Sequence, residues 1–386
     1  MISASSGTPA PRPSGEALDV SLRTVAAAFL SRGGLPRWPP AIDASAFLEW
    51  ATREGVVGLL YARARADDAR GALPAALLED LRAGAHRQAA LEVAQRDELR
   101  RLVAAIGTSG VEMLLMKGAS LAYDVYPDPA WRVRSDVDVL IRAGDRDRVR
   151  SCLDAIGYVC EPQVAGRFAT YQFHAARVDA QGVRHLCDVH WKIANPQRFA
   201  DAMLFDELAQ AAVEIPALGP AARGLGRAHA LWLACVHRVA HHANRDALPW
   251  LYDVHLLVEA LDAGDTARFV TLAARTGVRR ICLSTMLLAR ARFGTNIPQT
   301  ALAALGAQPL DEPSALFLRP GLRPFDVLLD DLRVLASWRA RLTLLKEHLF
   351  PSAAYLRQTY AQGSSAPLPW LYVRRVVTGA SKWFHH

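Results

Sequence analysis

Apolar residues recur at helical spacing over 22–30 and again over 45–63, with Leu48, Trp50, Val57, Leu59 and Leu60 on the inward face. Pro74 opens a third helix over 75–106, rich in Ala, Leu, Glu and Arg, which Thr108-Ser109-Gly110 ends. The spacing therefore predicts an all-helical first hundred residues. At Val111 the pattern changes. Met113-Leu114-Leu115-Met116 is an apolar run of strand length, Lys117-Gly118 closes it, and a short helix is predicted over 119–126. Strands are expected over 137–141 and 158–160, a helix over 145–156, and an antiparallel pair over 171–178 and 183–193 joined by a turn at 179–182. After Asn195-Pro196 helical spacing returns over 198–212, 226–242, 248–261, 266–276, 278–292 and 325–349, with a Pro- and Gly-rich stretch at 296–325 expected to loop over the surface. No internal repeat is visible.

The fold class that follows is α+β: a small mixed β-sheet core flanked by N-terminal and C-terminal helical regions. The expected divisions are a disordered tail over 1–20, a helical region over 21–110, the core over 111–195, a helical domain over 196–295 and a C-terminal helical region over 296–386.

Within the core, Ser135-Asp136-Val137-Asp138-Val139-Leu140 stands out. Alternation along a strand places Asp136 and Asp138 on one face and Val137, Val139 and Ile141 on the other. Two carboxylates that close repel unless a cation lies between them, and an oxygen-rich site suits Mg²⁺ or Mn²⁺. Cys187-Asp188-Val189-His190-Trp191-Lys192 offers a third acid. On that strand Asp188, His190 and Lys192 share a face, so pairing beside 137–141 would bring Asp188 to the first two. Three carboxylates can hold two divalent ions about 3.5–4 Å apart, an arrangement that binds a triphosphate and activates a hydroxyl.

Composition narrows the classes without choosing among them. Hydrophobic residues make up 51% of 386 and charged residues 22%, as in a globular protein with a real core. The net charge of +7 suits anionic substrates, although 41 of the 45 basic residues are Arg and their spread predicts a diffusely basic surface rather than a nucleic-acid groove. Only Lys117, Lys192, Lys346 and Lys382 are lysines, so Lys117 beside the acids is notable; it can meet a phosphate as a point charge or pair with an acid. The five cysteines lack any metal-binding spacing and are expected to be reduced, which with the absence of an apolar leader points to the cytoplasm. No apolar run reaches transmembrane length.

Lys117-Gly118, the Tyr126-Pro127 loop, Arg132, Ser135-Asp136-Val137-Asp138 and Asp188-Val189-His190-Trp191 together resemble the uncharacterised nucleotidyltransferase family of the DNA polymerase β superfamily. The resemblance covers 111–195 and extends more weakly through His237, His242, Trp250 and Asp253, and through 351–360. It implies Asp136, Asp138 and Asp188 as metal ligands and catalytic acids. It also implies Gly118 and Ser120 in the turn that approaches the nucleotide phosphates, with Arg132 and Ser135 beside them. The chain departs from the superfamily in having Gly118-Ala119 where a Gly-Ser or Gly-Gly pair is usual, and in a longer step from that glycine to Asp136. His190 is expected to support the site rather than ligate. Of Arg132 and Arg134, one is expected to neutralise phosphate and the other to pair with Asp128, and the resemblance favours Arg132 for the phosphate. His237, His241 and His242 are expected to tie their helix to the next through a hydrogen bond to Asp253, on the wall of the cleft.

The implied activity is Mg²⁺- or Mn²⁺-dependent transfer of a nucleoside monophosphate from a nucleoside triphosphate to a hydroxyl. The expected acceptor is a small molecule or a protein, since no basic, aromatic-bearing groove for RNA is evident. The alternative is a silent nucleotide- or partner-binding module on the same fold. The segment 369–384 mixes Trp370, Leu371 and Val373 with Arg374 and Arg375, a pattern that either docks on its own domain or touches a membrane.

Overall fold

The computed structural model describes residues 15–66, 71–161, 164, 166–309, 311–361 and 366–384. Of the tail expected over 1–20, residues 1–14 lie outside the described residues, and the rest already belongs to the first helix.

Four helices open the chain: α1 (Gly15–Leu30), α2 (Ala44–Glu54), α3 (Val57–Ala66) and α4 (Ala75–Thr108). Asp43 caps α2 by accepting from the Ala46 amide at 2.7 Å. Gly55, at φ 73°, ends it in the left-handed region that glycine enters without strain. That glycine divides the single helix expected over 45–63. Helix α4 has 34 residues, so it is about 50 Å long. Its first half packs Leu77 and Leu81 into the helical core, where Gly84 lets the Val57 side chain come close. Its second half lays Leu99, Leu102, Val103 and Ile106 on the sheet.

The sheet comprises β1 (Met113–Met116), β2 (Val137–Ile141), β3 (Val159–Cys160), β4 (Gln172–Val178), β5 (Arg184–His190), β6 (Val213–Glu214) and β7 (Arg223–Gly224). Helix α5 (Lys117–Asp124) follows β1 and α6 (Arg146–Ala155) follows β2; α7 (Gln197–Ala200) and α8 (Phe205–Gln210) precede β6. The strand order is β3-β4-β5-β2-β1-β7-β6. The central pair β1–β2 is antiparallel, and β2–β5 is parallel with Asp138 opposite Asp188. The 171–178 and 183–193 hairpin forms as expected, as β4 and β5. The sheet also takes two strands from beyond 195. The helix expected over 198–212 is two short pieces, and β6 and β7 add to the edge beside β1.

Both faces of the middle strands are covered, which is why β1 reads as an unbroken apolar run. Met113, Leu115, Val139, Ile141, Cys187 and Val189 face α4 and α6. Leu114, Met116 and Leu140 face a second core built with α9 (Arg227–Ala240), α10 (Leu248–Ala260), α11 (Ala263–Arg275) and α12 (Arg279–Phe293). Each fully buried Leu or Phe there contributes about 1.5–3 kcal/mol. Asp138 has the parity of Leu140, so the acid face of the sheet looks towards this helical layer.

Part of the stretch at 296–325 is ordered: α13 (Gln299–Leu305) and a 3-10 segment at Pro313–Leu318 carry Leu305 and Phe317 into the core. The helix expected over 325–349 breaks into α14 (Pro324–Val334) and α15 (Trp338–Leu349), with Ser337 capping the second. After α16 (Ala353–Leu356), α17 (Leu368–Phe384) buries Leu371, and Tyr372 donates to the Pro351 carbonyl at 2.9 Å. The docked alternative thus describes one side of α17.

The C-terminal region grips the core at two places. Arg198 pairs with Asp330, and Asp331 accepts the Gln197 amide at 2.7 Å. The Glu347 carboxylate on α15 accepts three successive amides, from Arg167, Phe168 and Ala169, at 2.6, 2.9 and 2.9 Å. Those amides belong to the loop that leads into β4.

Candidate active site

The parallel register sets Asp138 of β2 beside Asp188 of β5, and two residues further on the same face of β5 lies His190. One ligand atom from each of these three lies within 4.8 Å of the others. The structure thus brings His190 into the group that was expected to be acidic throughout. Asp136 stands just before β2, half-buried at the rim, where the Ser135 hydroxyl approaches its carboxylate at 3.5 Å.

Asp138 is buried and its Oδ1 accepts twice: from Lys117 Nζ at 2.6 Å and from His190 Nε2 at 2.9 Å. Burial alone would raise its carboxyl, but the Lys117 ammonium and the His190 bond outweigh it and hold the group below the usual carboxylate range. Asp136 goes the other way. Burial and the charges of Asp138 and Asp188 push it up to about 6, against the pull of Lys117 and Arg132. Three acids crowd a site with too little positive charge. His190 is lowered by burial, and its Nδ1 is buried with no hydrogen-bond partner. Asp138, Asp188 and His190 form a donor set able to hold a metal ion, with Asp136 nearby.

Sequence reasoning missed the groups that orient Asp188. His174 Nδ1 contacts Asp188 Oδ1 at 2.6 Å, and Gln172 Nε2 reaches Oδ2 at 3.4 Å. Asn195 donates to Gln172 Oε1 at 2.7 Å and accepts the Tyr171 amide at 3.0 Å. The signal was available in part: in an antiparallel pair the residue opposite Asp188 is His174.

Lys117 follows β1 in the left-handed region, φ 52°, an uncommon conformation outside glycine that turns its side chain back to Asp138. Helix α5 begins there, and Met116 at its cap supplies no side-chain acceptor. Its first amides therefore lack a capping acceptor beside the acids. At Gly118 an added Cβ would press within 3.3 Å of the Arg132 guanidinium. Ser120 is buried one turn into α5 with its hydroxyl against Gly224.

Arg132 does not stand free at the site. Its Nε and Nη2 donate to Asp253 at 2.7 and 2.8 Å, and Tyr126 adds a 2.8 Å bond to the same carboxylate. Asp253 is therefore held by Arg132 and Tyr126, in place of the histidine expected as its partner. Arg134 pairs with Glu92 at 2.7 Å, where Asp128 had been expected; Asp128 instead caps the 3-10 turn Pro129–Trp131. The histidines pack on one another and on Trp250: His237 lies 4.6 Å from His242, whose ring stacks on Trp250 at 3.9 Å. Burial and the facing Lys117 hold His237 and His242 below the ordinary imidazole range, His242 at about 4.

These groups surround one cavity of about 750 Å³ between the acid face and the helical layer. Asp136, Asp188, Lys117 and Gly118 line one side, and His237, His242, Trp250 and Arg245 line the other. A mixed sheet with in-register aspartates on adjacent strands, followed by helices that close a cleft over them, is a nucleotidyltransferase-like core. The chain belongs to the family described as uncharacterised nucleotidyltransferase, whose model matches residues 40–294. No curated protein matches it.

Proposed function

We propose that this protein transfers a nucleoside monophosphate from a nucleoside triphosphate to a hydroxyl of an acceptor and releases pyrophosphate. The observation that supports this most is the in-register pairing of Asp138 with Asp188, with Asp136 at the rim, beside a cavity that also receives Lys117 and the start of α5. Asp138, Asp188 and Asp136, with His190 adjoining, would hold Mg²⁺ or Mn²⁺. Such an ion supplies charge for the phosphates and lowers the pKa of a bound hydroxyl. The family and the metal-ligating cluster support nucleotidyltransferase-type activity in general.

The roles of the chain's own residues follow from where they lie. Lys117 lines the cavity beside Asp138 and would meet a phosphate there as a point charge. Gly118 keeps the backbone open so that the α5 amides meet an anion. Ser120 fixes the first turn of α5 against β7, and Ser135 flanks Asp136 at the rim. Arg132, held by Asp253, presents positive charge behind Gly118. His237, His242 and Trp250 form the wall opposite the acids. The acceptor in this proposal is a small molecule or a protein side chain, and the setting is the cytoplasm, where nucleoside triphosphates are supplied.

A second reading has its own support. Lys117 and His190 already occupy Asp138 Oδ1, as expected of a self-neutralised module that binds nucleotide or a partner without turnover. Incubation with each α-labelled nucleoside triphosphate, Mg²⁺ and a cell extract, for wild type and Asp138→Asn/Asp188→Asn, separates the two. Labelled product and pyrophosphate with wild type alone are expected. Metal-dependent nucleotide binding without pyrophosphate release would favour the silent module, and no nucleotide binding at all would sink both.

A further inference from the structure

The chain's positive charge is not spread evenly. Residues 332–386 contain eight Lys and Arg and one acid, Glu347, so this segment alone accounts for the net +7 and residues 1–331 balance to zero. The one acid is turned inward onto the three amides of the loop before β4. Arg333, Arg339, Arg341, Lys346 and Arg357 are exposed.

The same segment exposes large apolar side chains. On α17, Trp370, Val373 and Val377 recur at i, i+3 and i+7, with Val376 beside them, and their exposures are 58, 50, 70 and 61%. Another side of α17 is the docked one, carrying buried Leu371 and half-buried Tyr372. On α15, Trp338, Leu342 and Leu349 share a face and are 65, 54 and 55% exposed. Phe350, 63% exposed, joins the two helices through its ring contact with Tyr372 at 5.9 Å.

We propose that α15 and α17 form a surface that docks on an anionic lipid bilayer. Exposed apolar side chains with two tryptophans, on a segment that also exposes Arg and Lys, suit the boundary between headgroups and acyl chains, where the rings and aliphatic groups sink and the charged ends stay among the phosphates. A second copy of the chain is the poorer occupant, since pairing these faces would bring two +7 segments together. A nucleic acid would answer the charge but leave the valines and leucines without a role. No helix among the described residues is long and apolar enough to cross a membrane, so the contact is peripheral.

The test is flotation of the full chain with phosphatidylcholine vesicles and with phosphatidylcholine–phosphatidylglycerol vesicles, at low and high salt. Wild type is expected to float with the anionic vesicles only, less so at high salt. Trp370→Ser/Val377→Ser and Arg339→Glu/Lys346→Glu are each expected to lower partition by roughly tenfold. These are exposed positions, and a thermal melt matching wild type shows that the fold is kept. Equal flotation with both lipids, no flotation with either, or variants that float like wild type would overturn the proposal. So would a dimer in sedimentation that only the apolar variant dissolves. Asp138→Asn/Asp188→Asn is expected to float like wild type, so this result stands apart from that of the nucleotidyltransferase test.

Discussion

Arg132 and Asp253 meet through two parallel hydrogen bonds of 2.7 and 2.8 Å, joining the loop before the acid strand to helix α10. Both are largely buried. Burial would draw the Arg132 guanidinium down, but Asp253 outweighs it and raises it, while burial and Asp253 push the Tyr126 hydroxyl well above its usual range. Asp253→Ala leaves that guanidinium without its counter-ion and is expected to cost about 3–5 kcal/mol. Arg132→Lys, which loses the fork geometry, is expected to cost less, and Tyr126→Phe about 1 kcal/mol. Urea midpoints of the three variants check the order.

Lys117 already occupies Asp138 Oδ1 at 2.6 Å, so under the proposed function it would compete with a metal ion for that carboxylate. Lys117→Met is therefore expected to bind Mn²⁺ more tightly than wild type and nucleoside triphosphate more weakly, since the ammonium leaves both the carboxylate and the phosphate side. Titrations of each ligand read the two effects separately. Tighter binding of both would mean that Lys117 only neutralises Asp138.

The meeting of α5 and β7 depends on Gly224, where an added Cβ would run into Ser120 Oγ and come within 3.0 Å of Ile215 Cδ1. Gly224→Ala is expected to destabilise by about 1–3 kcal/mol. Adding Ser120→Ala removes the hydroxyl and is expected to recover much of that loss, a non-additivity that a double-mutant cycle measures.

Asp331 is buried beside Asp330, and burial pushes its carboxyl up to about 7 despite the Gln197 amide that it accepts. A folded-state value above the unfolded one of 3.8 means that its contribution is fully present below pH 3.8 and is lost as pH rises through 7. Asp331→Asn mimics the protonated form. It is expected to gain on wild type between pH 5 and pH 8, with denaturant midpoints at each pH as the measure. A constant difference across that range would show that Asp331 is ionised throughout.

The acids were legible because a strand has a period of two, and Asp136, Asp138 and Asp188 carry their own alternation with them. What alternation does not show is which strands are neighbours. The register of Asp138 against Asp188 came from pairing across the sheet, and β6 and β7 were hidden in a stretch whose short strands are two residues each. Arg132 and Asp253 are 121 residues apart, so nothing local announced their pairing. Three carboxylates suffice for a metal site, so the sequence gives His190 only a supporting place; burial beside Asp138 sets its ring among the acids. Helix boundaries moved where one residue decided, as at Gly55 and Ser337.

The clasp of Glu347 on the amides of Arg167, Phe168 and Ala169 spans 178 to 180 residues of sequence. The loop it holds runs directly into Gln172 and His174, which orient Asp188. The periphery and the acid face of the sheet are thus ends of one lever. Removing the C-terminal region would unfasten the strand that presents the third acid, so truncation and surface substitution are different experiments, and a loss of turnover on truncation says nothing about whether the tail binds substrate.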